Sequence, residues 1–186
     1  MRWWVAFGAV AGCSGGGTTD GSAHHSATAP CSGPMSLTAG TGAEAYVALA
    51  DLDPVTMVHG PQGGWHVETS GLVGGSTGEV SVAPFLVRRS DGMQVAGDQQ
   101  EQFIGLVGYD DTACTGSFFG VRAFLDDAFE SLDTGTEPQD FICSLAGEIL
   151  TLTVNLTDLT SGATATSTVD VTATLDQNDI QVCPAR

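Results

Sequence analysis

Basic residues are scarce in this chain. Lysine is absent, all five basic residues are arginines, and 22 acidic residues bring the formal net charge to −17. A surface of this charge repels nucleic acid and anionic lipid headgroups, so we expect no nucleic-acid partner and cations as the natural counter-species. Acidic charge also keeps an exposed protein in solution.

The sequence also lacks the short motifs of common enzyme classes. It has no HExxH motif and no phosphate-binding glycine loop, and GSFFG around Ser117 has the wrong spacing for a nucleophile elbow. Pairs of adjacent carboxylates leave open a hydrolase with a paired-carboxylate site, or a loose Ca²⁺ site. Their spacing does not support either, because adjacent residues on a strand or loop point apart. The neighbouring carboxylates are Asp110, Asp111, Asp126 and Asp127.

The first twelve residues have the pattern of an export signal. Arg2 is followed by an apolar run from Trp3 to Ala11, and Gly12 then precedes Cys13. The run is shorter than the roughly 20 apolar residues that span a bilayer as a helix. We therefore expect residues 1–12 to be a signal peptide that is removed.

Val10 to Cys13, with the sequence VAGC, resemble the lipobox of bacterial lipoproteins. The resemblance implies cleavage before Cys13 and acylation of that residue, with chains such as palmitate. In this family a residue other than Asp after the cysteine, here Ser14, favours the outer membrane. Several acyl chains, at about 0.8 kcal/mol per buried CH₂, hold a protein at a membrane permanently. The resemblance thus implies a membrane-anchored protein of the cell envelope, periplasmic or surface-exposed.

Small and polar residues dominate the segment after the predicted lipidation site. Residues 13–30 contain Cys13 and a stretch rich in Gly, Ser and Thr without apolar periodicity, which predicts a flexible linker with a reach of roughly 20–25 Å. Residues 31–186 are numerous enough to form one domain with its own core.

Four cysteines remain beyond Cys13: Cys31, Cys114, Cys143 and Cys183. An even number in an exported chain predicts two disulfides, and three pairings are open. We expect Cys31 to pair with Cys183, joining the ends of the domain, and Cys114 to pair with Cys143. A zinc site has little support, because no CxxC pair occurs and no His lies at ligand spacing.

Alternating apolar and polar residues predict strands throughout the domain. The clearest case is 147–158, where Leu150, Leu152, Val154 and Leu156 share one face, and 164–175 repeats the pattern after a turn. These two segments predict an antiparallel hairpin. Further strands are expected at 44–49, 55–60, 65–73, 79–88, 101–109 and 117–125.

Local sequence features qualify the strand pattern in two places. Pro84 cannot donate a hydrogen bond to a neighbouring strand, which places 79–88 at a sheet edge or bulge. Residues 121–132 also fit a helical face, but we favour a strand that runs into a loop. The whole pattern predicts an all-β fold, an antiparallel β-sandwich of immunoglobulin-like type, with a lipocalin-type barrel as the alternative.

The segment VHGPQGGWH, residues 58–66, predicts the tip of a hairpin, because Pro61 and Gly63 suit a type I turn. A four-residue loop, 61–64, sets two histidines opposite each other, with a Met and a Glu on the same face. These side chains would form a copper or zinc site. The four candidate ligands are Met57, His59, His66 and Glu68.

A three-residue loop, 61–63, is equally compatible with the sequence. It sets His59 opposite Trp65 and turns His66 to the other face, so the ligand set does not form. In this case the histidines hydrogen-bond to the backbone at the strand ends and have a structural role in the hairpin.

The GPQGGWH turn, within residues 40–67, resembles a segment of uncharacterised envelope lipoproteins of high-GC bacteria. That resemblance implies a recurring extracellular β module and no known activity. Our main hypothesis is a lipid-anchored, non-enzymatic module that binds an envelope protein or glycan, or has a structural role, without a cofactor. The alternatives are a metal-binding protein that uses His59 and His66, and an unrecognised hydrolase.

Overall fold

The computed structural model describes residues 31, 33–61, 63–97, 101–125 and 137–183. The predicted signal peptide, Cys13 and the linker lie outside these ranges. In the described ranges no helix is long and apolar enough to cross a membrane. The elements are β1 (Ser36–Thr41), β2 (Val47–Ala48), β3 (Asp53–His59), β4 (Trp65–Gly74), β5 (Glu79–Arg88), β6 (Gln94–Ala96), β7 (Gln102–Gly105), β8 (Val107–Asp110), β9 (Thr115–Phe124), α1 (Pro138–Leu145), β10 (Ile149–Asp158), β11 (Thr164–Leu175) and α2 (Gln177–Ile180).

The strands form two groups that β3 connects. One group has the order β2-β1-β4-β9-β8, and the other has the order β3-β11-β10-β5, with β6 and β7 pairing with β5. Strand β3 is parallel to β11 over residues 53–57 and antiparallel to β4 through Val58 and His59. Among the described strands, the expectation of purely antiparallel pairing is therefore wrong at one junction, between β3 and β11, which are distant in sequence, as parallel neighbours usually are.

One contiguous core contains side chains from both groups. From β10, Leu150, Leu152, Val154 and Leu156 are almost completely buried, as their alternation predicts, and Phe118 of β9 joins the same cluster. Each fully buried side chain of this size contributes roughly 1.5–3 kcal/mol relative to its exposed state. The predictions of an all-β fold and of the β10–β11 hairpin are confirmed. The immunoglobulin-like topology stays a prediction.

Pro84 lies at a local edge of the sheet. On one side β5 pairs with β10 along most of its length, including Pro84 opposite Val154. On the other side β7 pairs with 79–82 and β6 with 86–87, so among the described strands none pairs with Pro84 there. The missing N–H of proline therefore costs no strand hydrogen bond, as expected from the sequence.

The helix α1 was not predicted from the sequence, whose pattern indicated strands alone. This helix has Pro138 in its first turn, where proline is tolerated. It buries Phe141, Ile142 and Leu145 on one face, but a helix of eight residues offers too few repeats to stand out in the sequence. The predicted strand in 121–132 is present up to Phe124, and residues 126–136 lie outside the described part.

Two disulfides form, but the expected pairing is wrong. Cys31 bonds to Cys114, and Cys143 bonds to Cys183. The first pairing follows from the sheet: β1 and β9 both run antiparallel to β4, and Ser36 and Thr115 pair with the same residue, Gly74. The cysteines that precede the two strands are thus brought to the same end of the sheet. Disulfides of this kind indicate an extracytoplasmic domain.

Candidate functional site

The hairpin between β3 and β4 has the three-residue loop. The Gly60 N–H donates to the Gly64 carbonyl at 2.9 Å, and the Gly63 N–H donates to the Gly60 carbonyl at 3.0 Å. His59 consequently pairs with Trp65, and Val58 pairs with His66. Because successive side chains on a strand point to opposite faces, the hairpin presents a different histidine on each face.

The metal-ligand set that the four-residue loop would form is not assembled. Met57 and His59 lie on one face, with Met57 fully buried in the core, whereas His66 and Glu68 lie on the other. Among the described residues, no three His, Cys, Asp or Glu side chains gather at one point. A difference of one residue in loop length decides this, because it exchanges the two faces of a strand.

The first face of the hairpin packs against the C-terminal helix α2. The buried carboxylate of Asp179 accepts a hydrogen bond from Trp65 Nε1 at 2.7 Å and another from Gln139 Nε2 at 3.0 Å. His59 Nδ1 lies 3.1 Å from Asp179 Oδ1, and the rings of His59 and Trp65 are 4.5 Å apart. This Asp179 cluster (His59, Trp65, Gln139 and Asp179) fastens α1 and α2 to the base of the hairpin.

The pair formed by His59 and Asp179 has the geometry by which a carboxylate orients an imidazole. Nδ1 faces the Asp179 carboxylate, and the His59 side chain is 29% exposed, so solvent reaches it. In the described residues no nucleophilic hydroxyl or thiol is hydrogen-bonded to His59. The arrangement therefore lacks the nucleophile of a hydrolase triad and gives that alternative no support.

The second face of the hairpin carries a separate polar group. His66 Nε2 lies 3.0 Å from Glu68 Oε1, and Arg122 Nε of β9 lies 3.5 Å from the same oxygen. Glu68 is paired directly across the sheet with Arg122, and His66 with Phe124, so all four side chains share one face. We call these four residues the Arg122 face.

A cleft opens between the hairpin tip and β9. Its volume is about 290 Å³, just below the range that is usual for small-molecule sites. The glycines of the turn expose backbone, while three members of the Arg122 face, His66, Arg122 and Phe124, supply the charged and aromatic wall. The lining residues are Gly60, Pro61, Gly63, Gly64, Trp65, His66, Arg122 and Phe124.

The neighbouring carboxylates singled out in the sequence do not form a site in the described part of the chain. Asp110 Oδ1 accepts the backbone N–H groups of Thr112 at 2.9 Å and Ala113 at 3.0 Å, so it closes the turn before β9. Asp126 and Asp127 lie outside the described residues.

A buried carboxylate at the end of β10 was not among the site residues predicted from the sequence. Asp158 is fully buried and accepts hydrogen bonds from Ser76, Thr77 and Ser161. Burial alone would raise its pKa, but the bonds from the backbone N–H groups of Thr77 and Ser161, and from the Ser76 and Thr77 hydroxyls, lower that pKa well below its ordinary value. Nothing in the local sequence distinguishes Asp158 from a surface aspartate at a turn.

We predict that Asp179→Asn lowers the free energy of unfolding by about 1–3 kcal/mol. The amide cannot accept from all three neighbouring donors, so at least one of them loses its partner. Urea unfolding at neutral pH measures the change. Asp140→Asn, at an exposed position on α1, is the matched control and should differ from wild type by less than about 0.5 kcal/mol. Equal losses in the two variants would contradict the role given to the Asp179 cluster.

Comparisons with known proteins leave the chain without an assigned family. No family model matches it, and no curated protein matches it. Among solved structures, the CooA pilin subunit from enterotoxigenic Escherichia coli is similar with a TM-score of 0.35 and 15% identity, over 75% of this chain and 99% of that one. Bacteroides uniformis β-glucuronidase is similar with a TM-score of 0.32 and 8% identity, over 73% of this chain and 13% of that one. At these TM-scores, neither similarity indicates a function for this chain.

Proposed function

We propose that this chain is a lipid-anchored, non-enzymatic β module of the bacterial cell envelope, with a binding or structural role. The observation that carries the proposal is the pair of disulfides, Cys31–Cys114 and Cys143–Cys183, which suits an oxidising compartment outside the cytoplasm. The lipobox-like VAGC at residues 10–13 supports attachment through Cys13, and Ser14 supports the outer membrane.

The hydrogen bonds of the buried carboxylates support a non-enzymatic role. Asp158 and Asp179 are the buried carboxylates of the described residues, and the hydrogen bonds that both accept come from the fold itself. A catalytic acid or base needs an oxygen or nitrogen that can reach substrate. These two carboxylates instead stabilise loops and helices around the β core.

The end of the domain at the β3–β4 hairpin is the best candidate for the contact surface. It combines an exposed turn, a cleft and the charged Arg122 face, all held by strands on either side. Binding residues commonly lie on loops that a rigid scaffold positions.

Intact-mass analysis of the protein from bacterial membranes tests the anchor. We expect the mature chain to begin at Cys13 and to carry the added mass of several acyl chains. Cys13→Ala should move the protein out of the membrane fraction, because its acylation site is lost. Ser14→Ala, which keeps the cysteine, is the control and should stay in the membrane fraction. A native chain that still contains Met1 and carries no lipid would disprove the proposal.

A further inference from the structure

The guanidinium of Arg122 has unused hydrogen-bond donors at the cleft between the hairpin and β9. Arg88 forms two bonds to Asp91, and Arg89 contacts Asp170 at 2.5 Å. Arg122 contacts Glu68 through Nε only, at 3.5 Å. Of the three arginines in the described part of the chain, Arg122 is thus the one whose terminal nitrogens contact no carboxylate, and its side chain is among those that line the cleft.

The charge around this arginine selects against anionic ligands. Glu68 is 14% exposed and lies directly opposite Arg122, so its carboxylate neutralises the guanidinium within the site. The chain as a whole carries a net charge of −17. An anion would therefore be attracted by Arg122 but repelled by Glu68 and by the acidic surface around it. A neutral ligand is not subject to this repulsion.

The other walls of the cleft suit a small ring with hydroxyl groups. Phe124 is half-buried beside His66, with ring centroids 6.0 Å apart, and Pro61 adds apolar surface from the turn. The glycines allow a ligand to reach the backbone. A volume of about 290 Å³ has room for one ring rather than a long chain.

An added peptide strand is disfavoured at this position. On its outer edge, the backbone of Arg122 is already paired with the side chain of Gln102, whose Nε2 donates to the Arg122 carbonyl at 2.9 Å. The Gln102 Oε1 accepts the Arg122 N–H at 3.3 Å. A partner that extends the sheet at β9 would have to break both bonds.

We propose that this cleft binds one ring of a neutral saccharide, with Arg122 donating to its hydroxyl groups and Phe124 packing against a face of the ring. This inference rests on the proposed role as a binding module and names the class of its ligand. Glu68 and His66 act as positioning residues, because they hold the guanidinium through Glu68 Oε1.

Saturation-transfer NMR on the full mature chain tests the proposal. The protein is kept in a detergent without a sugar headgroup, and the probes are glucose, galactose, mannose and N-acetylglucosamine, with glucuronate as the charged comparison. We expect transfer to at least one neutral sugar, with a dissociation constant in the millimolar range that is usual for so small a ligand. Glucuronate should bind at least threefold more weakly.

Substitutions then locate the binding. Arg122→Gln removes the charge and should weaken binding at least tenfold. Arg122→Lys keeps a positive charge opposite Glu68 but loses the planar set of donors, so it should fold normally and still bind more weakly. Arg89→Gln, at an exposed arginine in the turn after β5, is the matched control and should bind within twofold of wild type. Unchanged circular dichroism shows that each variant is folded.

Three results would overturn the proposal: no transfer to any of the four neutral sugars, tighter binding of glucuronate than of glucose, or wild-type affinity in both Arg122 variants. None of these results would bear on the proposed lipid anchor at Cys13. Because acylation of Cys13 is read from intact mass and membrane fractionation, failure of the saccharide site and failure of the proposed function are distinguishable.

Discussion

Asp158→Ala is expected to lower the free energy of unfolding by about 3–5 kcal/mol. The substitution leaves the hydroxyl of Ser76, the N–H and hydroxyl of Thr77 and the N–H of Ser161 without their acceptor, at a position with no exposure to solvent. Ser76 is buried and Thr77 is half-buried, and a buried donor that loses its partner costs about 1–3 kcal/mol. The exposed Ser161 can donate to water instead and adds less. Urea unfolding followed by circular dichroism measures the loss.

The same carboxylate makes the wild-type protein sensitive to acid. Its pKa is lower in the folded state than in the unfolded state, where a free Asp has a pKa of about 3.9. The unfolded chain therefore takes up the proton first. The stability from Asp158 is fully present above about pH 4 and is lost as the pH falls from there towards the folded pKa. We expect Asp158→Ala to reduce the slope of stability against pH in this acidic range.

Asp51→Ala is the control for both measurements, because Asp51 is an exposed turn residue. It should change stability by less than about 0.5 kcal/mol and leave the acid slope as in wild type. An Asp158→Ala variant as stable as Asp51→Ala at pH 7 would show that the hydrogen bonds around Asp158 contribute little.

Replacing Cys31 and Cys114 together by Ser is expected to cost about 4 kcal/mol. The disulfide closes a loop with a sequence separation of 83, and the chain-entropy model gives a loop of this length a stabilisation of about 4–5 kcal/mol. The pair Cys143 and Cys183, with a separation of 40, should cost slightly less when replaced. Denaturant midpoints of the two double variants test the order.

Tryptic digestion without reduction tests the pairing directly. Cleavage after Arg88, Arg89 and Arg122 places Cys114 in the peptide 90–122 and both Cys143 and Cys183 in the peptide 123–186. The structure predicts that the peptide containing Cys31 is linked to 90–122, while 123–186 is linked only to itself. The pairing of Cys31 with Cys183 and Cys114 with Cys143 would instead join all three peptides in one product.

The strands of the described domain were predictable where their pattern is local. In β10 the alternation of Leu150 to Leu156 reports directly which side chains face the core, because side chains on a strand alternate between its faces. The restriction on Pro84 is local as well, since the residue itself lacks the N–H. The helix α1 was missed because eight residues supply only two turns of periodicity.

The candidate site depended on contacts between distant segments. Asp179 meets His59 and Trp65 across more than 100 residues, and the lone acidic residue in QNDI has no local feature that marks it as buried. Arg122 becomes part of a cleft only because β9 pairs with β4 in a register that sets it opposite Glu68. Single-residue shifts in such pairings decide which side chains meet.

By itself, the sequence determined that this is a strongly acidic chain with a β-rich domain, four domain cysteines and the segment VAGC at residues 10–13, since these properties depend on composition and on short-range order. Tertiary structure alone decided the cysteine pairing, the parallel contact of β3 with β11, the separation of His59 from His66 and the burial of Asp158. The physical reason is that pairing and register are set by the packing of the whole core, to which each local segment contributes only a small part of the free energy.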